Sequence, residues 1–156
     1  MKHLFNNRIS IHQVEESSEL APKFDNNGLI PVITTDDQSG HVLMHGYMTA
    51  EALQKTIEWG EAVYYSRSRK TLWHKGKTSG FIQKVKSIYI DDDQDCIWLR
   101  VDTVGDANCH VGYKSCFYRK IAYNPDSQEA TLDFTESSKQ FDPTDVYGDA
   151  PNPTKL

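Results

Sequence analysis

Short runs of β-branched and aromatic residues, each closed by a turn signal, recur through the middle of this chain and restrict it to a mainly β fold. Asp25-Asn26-Asn27-Gly28 precedes the run Leu29 to Thr35, and Asp36 to Gly40 separates that run from His41 to Tyr47, which predicts a hairpin. Val63 to Ser66, Ile82 to Ile90, Cys96 to Asp102 and Ser115 to Tyr123 continue the pattern. Within the third of these, Ile97, Leu99 and Val101 alternate with Trp98 and Arg100, the period of a strand with one buried face. Thr49 is placed to cap a helix over Ala50 to Trp59, with Leu53 and Ile57 on one face and Gly60 as its stop. The expected fold is mainly β (α+β): a compact mixed, barrel-like sheet of about five strands with one or two short helices.

With 156 residues, one domain is expected, able to bury roughly two-thirds of the surface its unfolded chain exposes. A central domain over residues 24–121 is expected. Residues 1–23 are polar and aperiodic, an N-terminal arm, and 122–156, rich in Pro, Asp, Ser and Thr, form a polar C-terminal tail. No apolar run approaches the ~20 residues of a membrane span or forms a signal peptide, so a soluble, cytoplasmic protein without membrane partners is expected. The net charge of -5 argues against a nucleic-acid partner. Three cysteines, an odd number in a reducing compartment, leave metal ligation or plain burial as their uses.

Three segments carry chemistry. In extended chain, Asp91, Asp93 and Asp95 project to one side, and converging carboxylates suit a hard cation such as Mg²⁺; a solvated acidic turn has the same composition. An EF-hand is set aside, because Cys96 stands where that loop needs glycine. Cys109-His110 and Cys116 lie around a Gly112 turn, and thiolate with imidazole is the ligand chemistry zinc prefers. Buried structural cysteines would read the same way. Ser66-Arg67-Ser68-Arg69-Lys70, with Lys75, Gly76, Thr78, Ser79 and Gly80 beyond, is a phosphate-binding composition in an acidic chain, and equally a solvated loop. Trp73 among them is either a stacking platform for a base or a core residue.

Taken together, Val42 to Met48, Tyr65 to Arg69, Leu72 to Gly76, Thr78 to Gly80, Gln83 to Val85 and Cys109 to Arg119 resemble the phosphoribosyl-AMP cyclohydrolases in order and spacing, over roughly Phe24 to Ile121. The resemblance implies Mg²⁺ at Asp91, Asp93 and Asp95, Zn²⁺ at Cys109 and Cys116, and His110 as general base. It also implies a phosphorylated nucleotide held by Ser66, Arg67, Ser68, Arg69, Trp73, Lys75, Gly76, Ser79, Gly80 and Gln83. The family forms intertwined homodimers whose third zinc cysteine comes from the aspartate-rich segment of the other subunit. Here the sequence departs, with Asp92 where that cysteine belongs. Cys96, four residues on, is roughly 13 Å away in an extended strand. Asp92 itself is a possible ligand, for zinc or for another divalent metal. The expected reaction is hydrolysis of the purine N1–C6 bond of 1-(5-phosphoribosyl)-AMP in histidine biosynthesis. The competing expectation is a non-catalytic metal- or nucleotide-binding paralogue. A zinc deaminase would need His-x-Glu and Pro-Cys-x-x-Cys, which the chain lacks.

Overall fold

The computed structural model describes residues 3–156. Its elements run α1 (Ile11–Glu16), β1 (Ile30–Asp36), β2 (Val42–Met48), α2 (Ala50–Trp59), β3 (Val63–Ser66), β4 (Thr71–His74), β5 (Gln83–Ile90), β6 (Ile97–Thr103), β7 (Arg119–Asn124), β8 (Glu129–Phe134) and α3 (Pro143–Tyr147). The predicted hairpin is β1–β2, antiparallel with Val32 opposite Gly46. Four strands form one mixed sheet in the order β2-β1-β6-β5, in which the central pair β1–β6 is parallel. β3–β4 and β7–β8 are separate two-stranded ribbons.

The barrel-like sheet of about five strands is therefore corrected to an open sheet of four. The β3–β4 ribbon approaches both edges without joining the strand ladder of either. The Tyr64 ring fills the space over Gly46, so β3 meets β2 through a side chain, and the link to β5 is a single bridge, Glu61 to Lys84. The last expected strand also starts later, at Arg119. Cys116 N donates to Leu43 O at 2.7 Å and Ser115 Oγ to Val42 O at 2.8 Å, which ties residues 115–116 to the rim of β2.

The core lies between the sheet and α2. Ile97, Leu99 and Val101 are fully buried, with Ile30, Val32, Leu43, Met48 and Leu53 around them, and each such side chain contributes roughly 1.5–3 kcal/mol of burial. Trp98, on the opposite face, stacks on Tyr89 at 4.8 Å. α2 begins and ends as expected, with the Thr49 side chain accepting from Ala52 N and Gly60 closing it. Its buried stripe is Ala52, Leu53 and Thr56, while Ile57 is turned outward. Thr56 is buried because its hydroxyl bonds Ala52 O and also both backbone groups of Val63, joining the helix to β3.

Both terminal segments fold onto this core. Gln94, in the β5–β6 turn, accepts from Ala21 N and donates to Val14 O through its buried amide. On the C-terminal side, the Glu136 carboxylate accepts from Lys114 N and Ser115 N at 2.8 and 3.0 Å.

Candidate active site

Antiparallel pairing of β3 with β4, Ser66 opposite Thr71, leaves Arg67 to Lys70 as a tight turn. The Arg67 guanidinium lies 4.1 Å from the centre of the Tyr47 ring. Arg69 lies 5.8 Å from that of Trp73 and donates from Nε to Ser66 Oγ at 3.4 Å. These contacts hold two cations on one wall while leaving their forked donors available to an anion. The chain then turns at Gly76, where φ is +87° and a Cβ would lie 2.3 Å from Ile82 N. Only glycine lets the 76–82 loop close that tightly.

A chain of buried polar groups runs behind this wall. Thr34 Oγ1 bonds the Tyr64 hydroxyl at 2.6 Å, and that hydroxyl donates to Gln83 Oε1 at 2.6 Å. Gln83 Nε2 donates to Asn108 Oδ1 at 2.8 Å. Asn108 Oδ1 also accepts from Thr103, and its Nδ2 donates to Lys114 O at 2.9 Å. Burial pushes the Tyr64 hydroxyl far above its ordinary pKa, so it stays a donor at every working pH.

The same Asn108 anchors the cysteine loop. Cys109 N donates to Tyr113 O at 3.1 Å and Gly112 N to Cys109 O at 3.0 Å, which folds the loop back and brings Cys116 to Cys109. The two thiols share a hydrogen bond. Donation from Cys116 lowers Cys109 to about 7 against the opposing effect of burial, and the same bond pushes Cys116 upward. Lys75 is buried beneath them. Its Nζ donates to Asn108 O at 2.6 Å and lies 4.8 Å from the centre of the Trp73 ring. Desolvation lowers the Lys75 pKa, and the nearby thiols act against that. An ammonium beside a thiol pair favours thiolate, the form that binds metal, so the donor chemistry of Cys109 and Cys116 fits a soft-leaning divalent cation. His110, lowered first by burial, reaches Thr154 Oγ1 at 3.5 Å.

Asp91, Asp93 and Asp95 bring their ligand oxygens within 4.8 Å of one another. They converge through a turn, and the extended chain expected from sequence is absent here. Gln94 sits at φ 57°, and Asp91 Oδ1 accepts from the backbone of Asp95 and Cys96. The hydrogen bond that protonated Asp95 donates to Asp93, with crowding by the other carboxylates, raises Asp95 to about 6. That crowding is the signature of a site a hard cation would relieve. The turn joins β5 to β6 at the Ile90–Ile97 end, whereas Asn108 and the cysteine loop lie beyond Thr103 at the other end. Seven residues of β6 put roughly 20 Å between them. Asp92 and Cys96 both belong to the acidic end, so neither meets Cys109 or Cys116 within one chain.

The basic wall, the cysteine loop and the C-terminal segment enclose a cavity of about 780 Å³. Among the residues anticipated from sequence, Ser66, Arg67, Arg69, Trp73, Lys75, Gly76, Ser79, His110 and Cys116 line it. Gln83 lies buried behind, Cys109 is covered by the loop, and Ser68 and Gly80 stand off the lining.

The family description "Phosphoribosyl-AMP cyclohydrolase" matches residues 44–118. Curated proteins of that name resemble the chain over nearly its whole length. One from Rhodopseudomonas palustris (strain HaA2) is 53% identical over 89% of this chain and 93% of its own. Another, from Rhizobium etli (strain CIAT 652), is 45% identical over 95% of this chain and 99% of its own. The chain belongs to the phosphoribosyl-AMP cyclohydrolase family. The matched segment runs from β2 to Tyr118 and includes the basic wall, the acidic turn and the cysteine loop. Two participants in the cavity went unforeseen. Asn108 sits next to Cys109, and its residue type gave no hint that three side-chain hydrogen bonds converge on it. The segment from Lys139 to Thr154 lies beyond the matched residues, in what reads as a polar tail, yet it supplies one side of the cavity.

Proposed function

We propose that this protein is a cytoplasmic phosphoribosyl-AMP cyclohydrolase of histidine biosynthesis, a hydrolase that opens the purine ring of 1-(5-phosphoribosyl)-AMP. The observation that carries the reading is the convergence of His110, Cys116 and the Arg67–Arg69 turn on one cavity. The reaction adds water to the ring: a C6–O bond forms, the N1–C6 bond breaks, and N1 takes up a proton. Cys109 and Cys116 would hold Zn²⁺ or another divalent cation, which when bound supplies water acidified to react at neutral pH. Asp91, Asp93 and Asp95 would hold Mg²⁺, which when bound would supply coordination for phosphate and ribose oxygens.

The chain's own groups do the rest. Trp73, with Lys75 and Arg69 against its ring, lines the cavity as the aromatic surface for the purine. Arg67 and Arg69 carry phosphate charge on the β3–β4 turn. His110, whose pKa is lowered by burial, is neutral at pH 7 and accepts a proton from water before returning it to the leaving nitrogen. Lys75, from beneath, favours the thiolate of Cys109.

The working form in this reading is a homodimer in which Asp92 of one subunit completes the thiol site of the other. Support comes from the length of β6, which keeps these groups apart within a chain. The uncovered apolar residues Ile33, Tyr89 and Trp98 on the outer sheet face also favour a second copy. No helix among the described residues is long and apolar enough to cross a membrane.

The test is turnover of phosphoribosyl-AMP by purified protein supplied with Zn²⁺ and Mg²⁺, followed by the absorbance change on ring opening. Cys116→Ser should remove turnover and leave the far-UV spectrum unchanged. Mixing Asp92→Ala with Cys109→Ser, each inactive alone, should restore part of the activity. Full turnover in a folded Cys116→Ser variant would end this assignment.

A further inference from the structure

The chain has 22 Asp and Glu residues and a net charge of -5, yet no carboxylate lines the cavity among the described residues. Four basic side chains do: Arg67, Arg69, Lys75 and Lys139. Their situations differ. Lys75 is buried and engaged with Asn108 O and the Trp73 ring. Arg67 and Arg69 share the β3–β4 turn and lie against Tyr47 and Trp73. Lys139 comes from another element, and its ammonium has no carboxylate within ion-pair distance among the described residues. Its one noted electrostatic influence is on Asp142, three residues on.

The backbone around Lys139 is nonetheless firmly placed. Gln140 N donates to Gly112 O at 2.7 Å, and Glu136 clasps Lys114 N and Ser115 N. Phe141 packs on Phe81 with ring centres 5.0 Å apart. At Gly112, φ is +110°, and a Cβ would meet Phe141 O at 2.5 Å and the Lys139 stem at 3.2 and 3.3 Å. The stem of Lys139 thus runs along the cysteine loop, and only its charged head is left uncommitted. A cation whose backbone is already ordered loses less freedom on meeting an anion than one on a mobile arm.

The proposed substrate carries two phosphate groups, one on each ribose, and a single turn holding Arg67 and Arg69 provides one anion site. We infer that Lys139 is a specificity-determining contact, the cation that receives the second phosphate of a doubly phosphorylated nucleotide. The inference rests on the function proposed above. It gives the C-terminal segment a definite role: the segment distinguishes substrates with two terminal phosphates from those with one.

The experiment compares wild type, Lys139→Met, which keeps the apolar stem along Gly112, and Lys139→Arg, which keeps the charge. Each is assayed as the metal-loaded full-length enzyme. The substrates are phosphoribosyl-AMP and two analogues, one lacking the N1-ribose phosphate and one lacking the AMP phosphate. Lys139→Met should raise KM for phosphoribosyl-AMP about tenfold, with kcat within twofold of wild type, the pattern of a lost charge-assisted contact made equally in ground and transition states. Against one analogue the variant and wild type should have the same KM, which identifies the phosphate concerned. Lys139→Arg should restore KM. Unchanged KM in Lys139→Met overturns the inference. So does an equal KM increase on both analogues, or a loss that Lys139→Arg fails to restore, since either would mark a displaced segment in place of a lost contact. A wild type that does not turn over phosphoribosyl-AMP removes the proposed function and this inference with it, whereas an active enzyme indifferent to Lys139 removes the inference alone.

Discussion

Replacing Asn108 by alanine removes the group on which the buried polar chain converges. Three side-chain hydrogen bonds disappear: those to Gln83 Nε2 at 2.8 Å, Thr103 Oγ1 at 2.9 Å and Lys114 O at 2.9 Å. The three losses are unequal. Thr103 is half-exposed and its hydroxyl can turn to water, and Lys114 O still accepts from the backbone N of residue 108 at 3.1 Å. Gln83 is fully buried, and its amide nitrogen is left with only a weak sulfur acceptor, Met44 Sδ at 3.3 Å. One buried donor deprived of its partner costs about 1–3 kcal/mol, and the two partly replaced bonds add about 1 kcal/mol more. The expected loss is therefore about 2–4 kcal/mol. For a chain of this size that lowers Tm by roughly 4–16 °C, at about 2–4 °C per kcal/mol. Urea unfolding of wild type and Asn108→Ala at one fixed protomer concentration measures it, the concentration being fixed because any association shifts apparent stability. Asn108→Asp is the informative companion. It keeps the volume and both acceptor bonds but turns the donor facing Lys114 O into a second acceptor, so it should be destabilised as well. If Asn108→Ala loses less than about 1 kcal/mol, or Asn108→Asp matches wild type, the chain from Thr34 to Asn108 does not hold the cysteine loop.

Gly76→Ala places a Cβ 2.3 Å from Ile82 N at a φ of +87°. Both obstacles are backbone, so the loop must move, and a Tm at least about 5 °C below wild type is expected, with KM for the phosphorylated substrate raised. Asp92→Cys should exchange a hard ligand for a soft one and hold zinc through mild chelation that strips the wild-type protein. Equal zinc retention by the two proteins would exclude Asp92 from the metal site.

What was legible in the sequence is what short-range physics controls. The β1–β2 hairpin and the α2 boundaries follow from turn residues and a cap, and Ile97, Leu99 and Val101 announce their buried face by alternation. The acidic turn and the cysteine loop are each local enough for spacing to reveal them. What escaped is long-range or weakly patterned. Glu129–Phe134 does alternate, Ala130, Leu132 and Phe134 against Glu129, Thr131 and Asp133, but the run is short, lies among Pro-, Asp- and Ser-rich segments, and every residue of β8 is exposed. The six residues of α1 are too few for a helical stripe, and they are held in place by Gln94, some eighty positions away. The role of the tail depends on Gly112 leaving room for Phe141 and Lys139, a steric allowance that no motif encodes. Closure of the sheet is hidden for a related reason, since strand content does not say whether two edges meet.

The parallel pairing of β1 with β6 has a consequence for how the molecule comes into being. β1 ends at Asp36 and its partner begins at Ile97, so about sixty residues must be synthesised before the central strand gains its second neighbour. At roughly 5–20 residues per second, that interval lasts about 3–12 s on the ribosome. Throughout it, the nascent hairpin exposes the free edge of Ile30-Pro31-Val32-Ile33-Thr34-Thr35, an apolar β-branched segment of the kind that pairs with other chains. Pro31, lacking an N–H, removes one donor near the start of that strand. Production of soluble protein should accordingly be governed by the wait for β6: slower growth temperature or added holdase should raise its yield more than any change that merely strengthens the finished core.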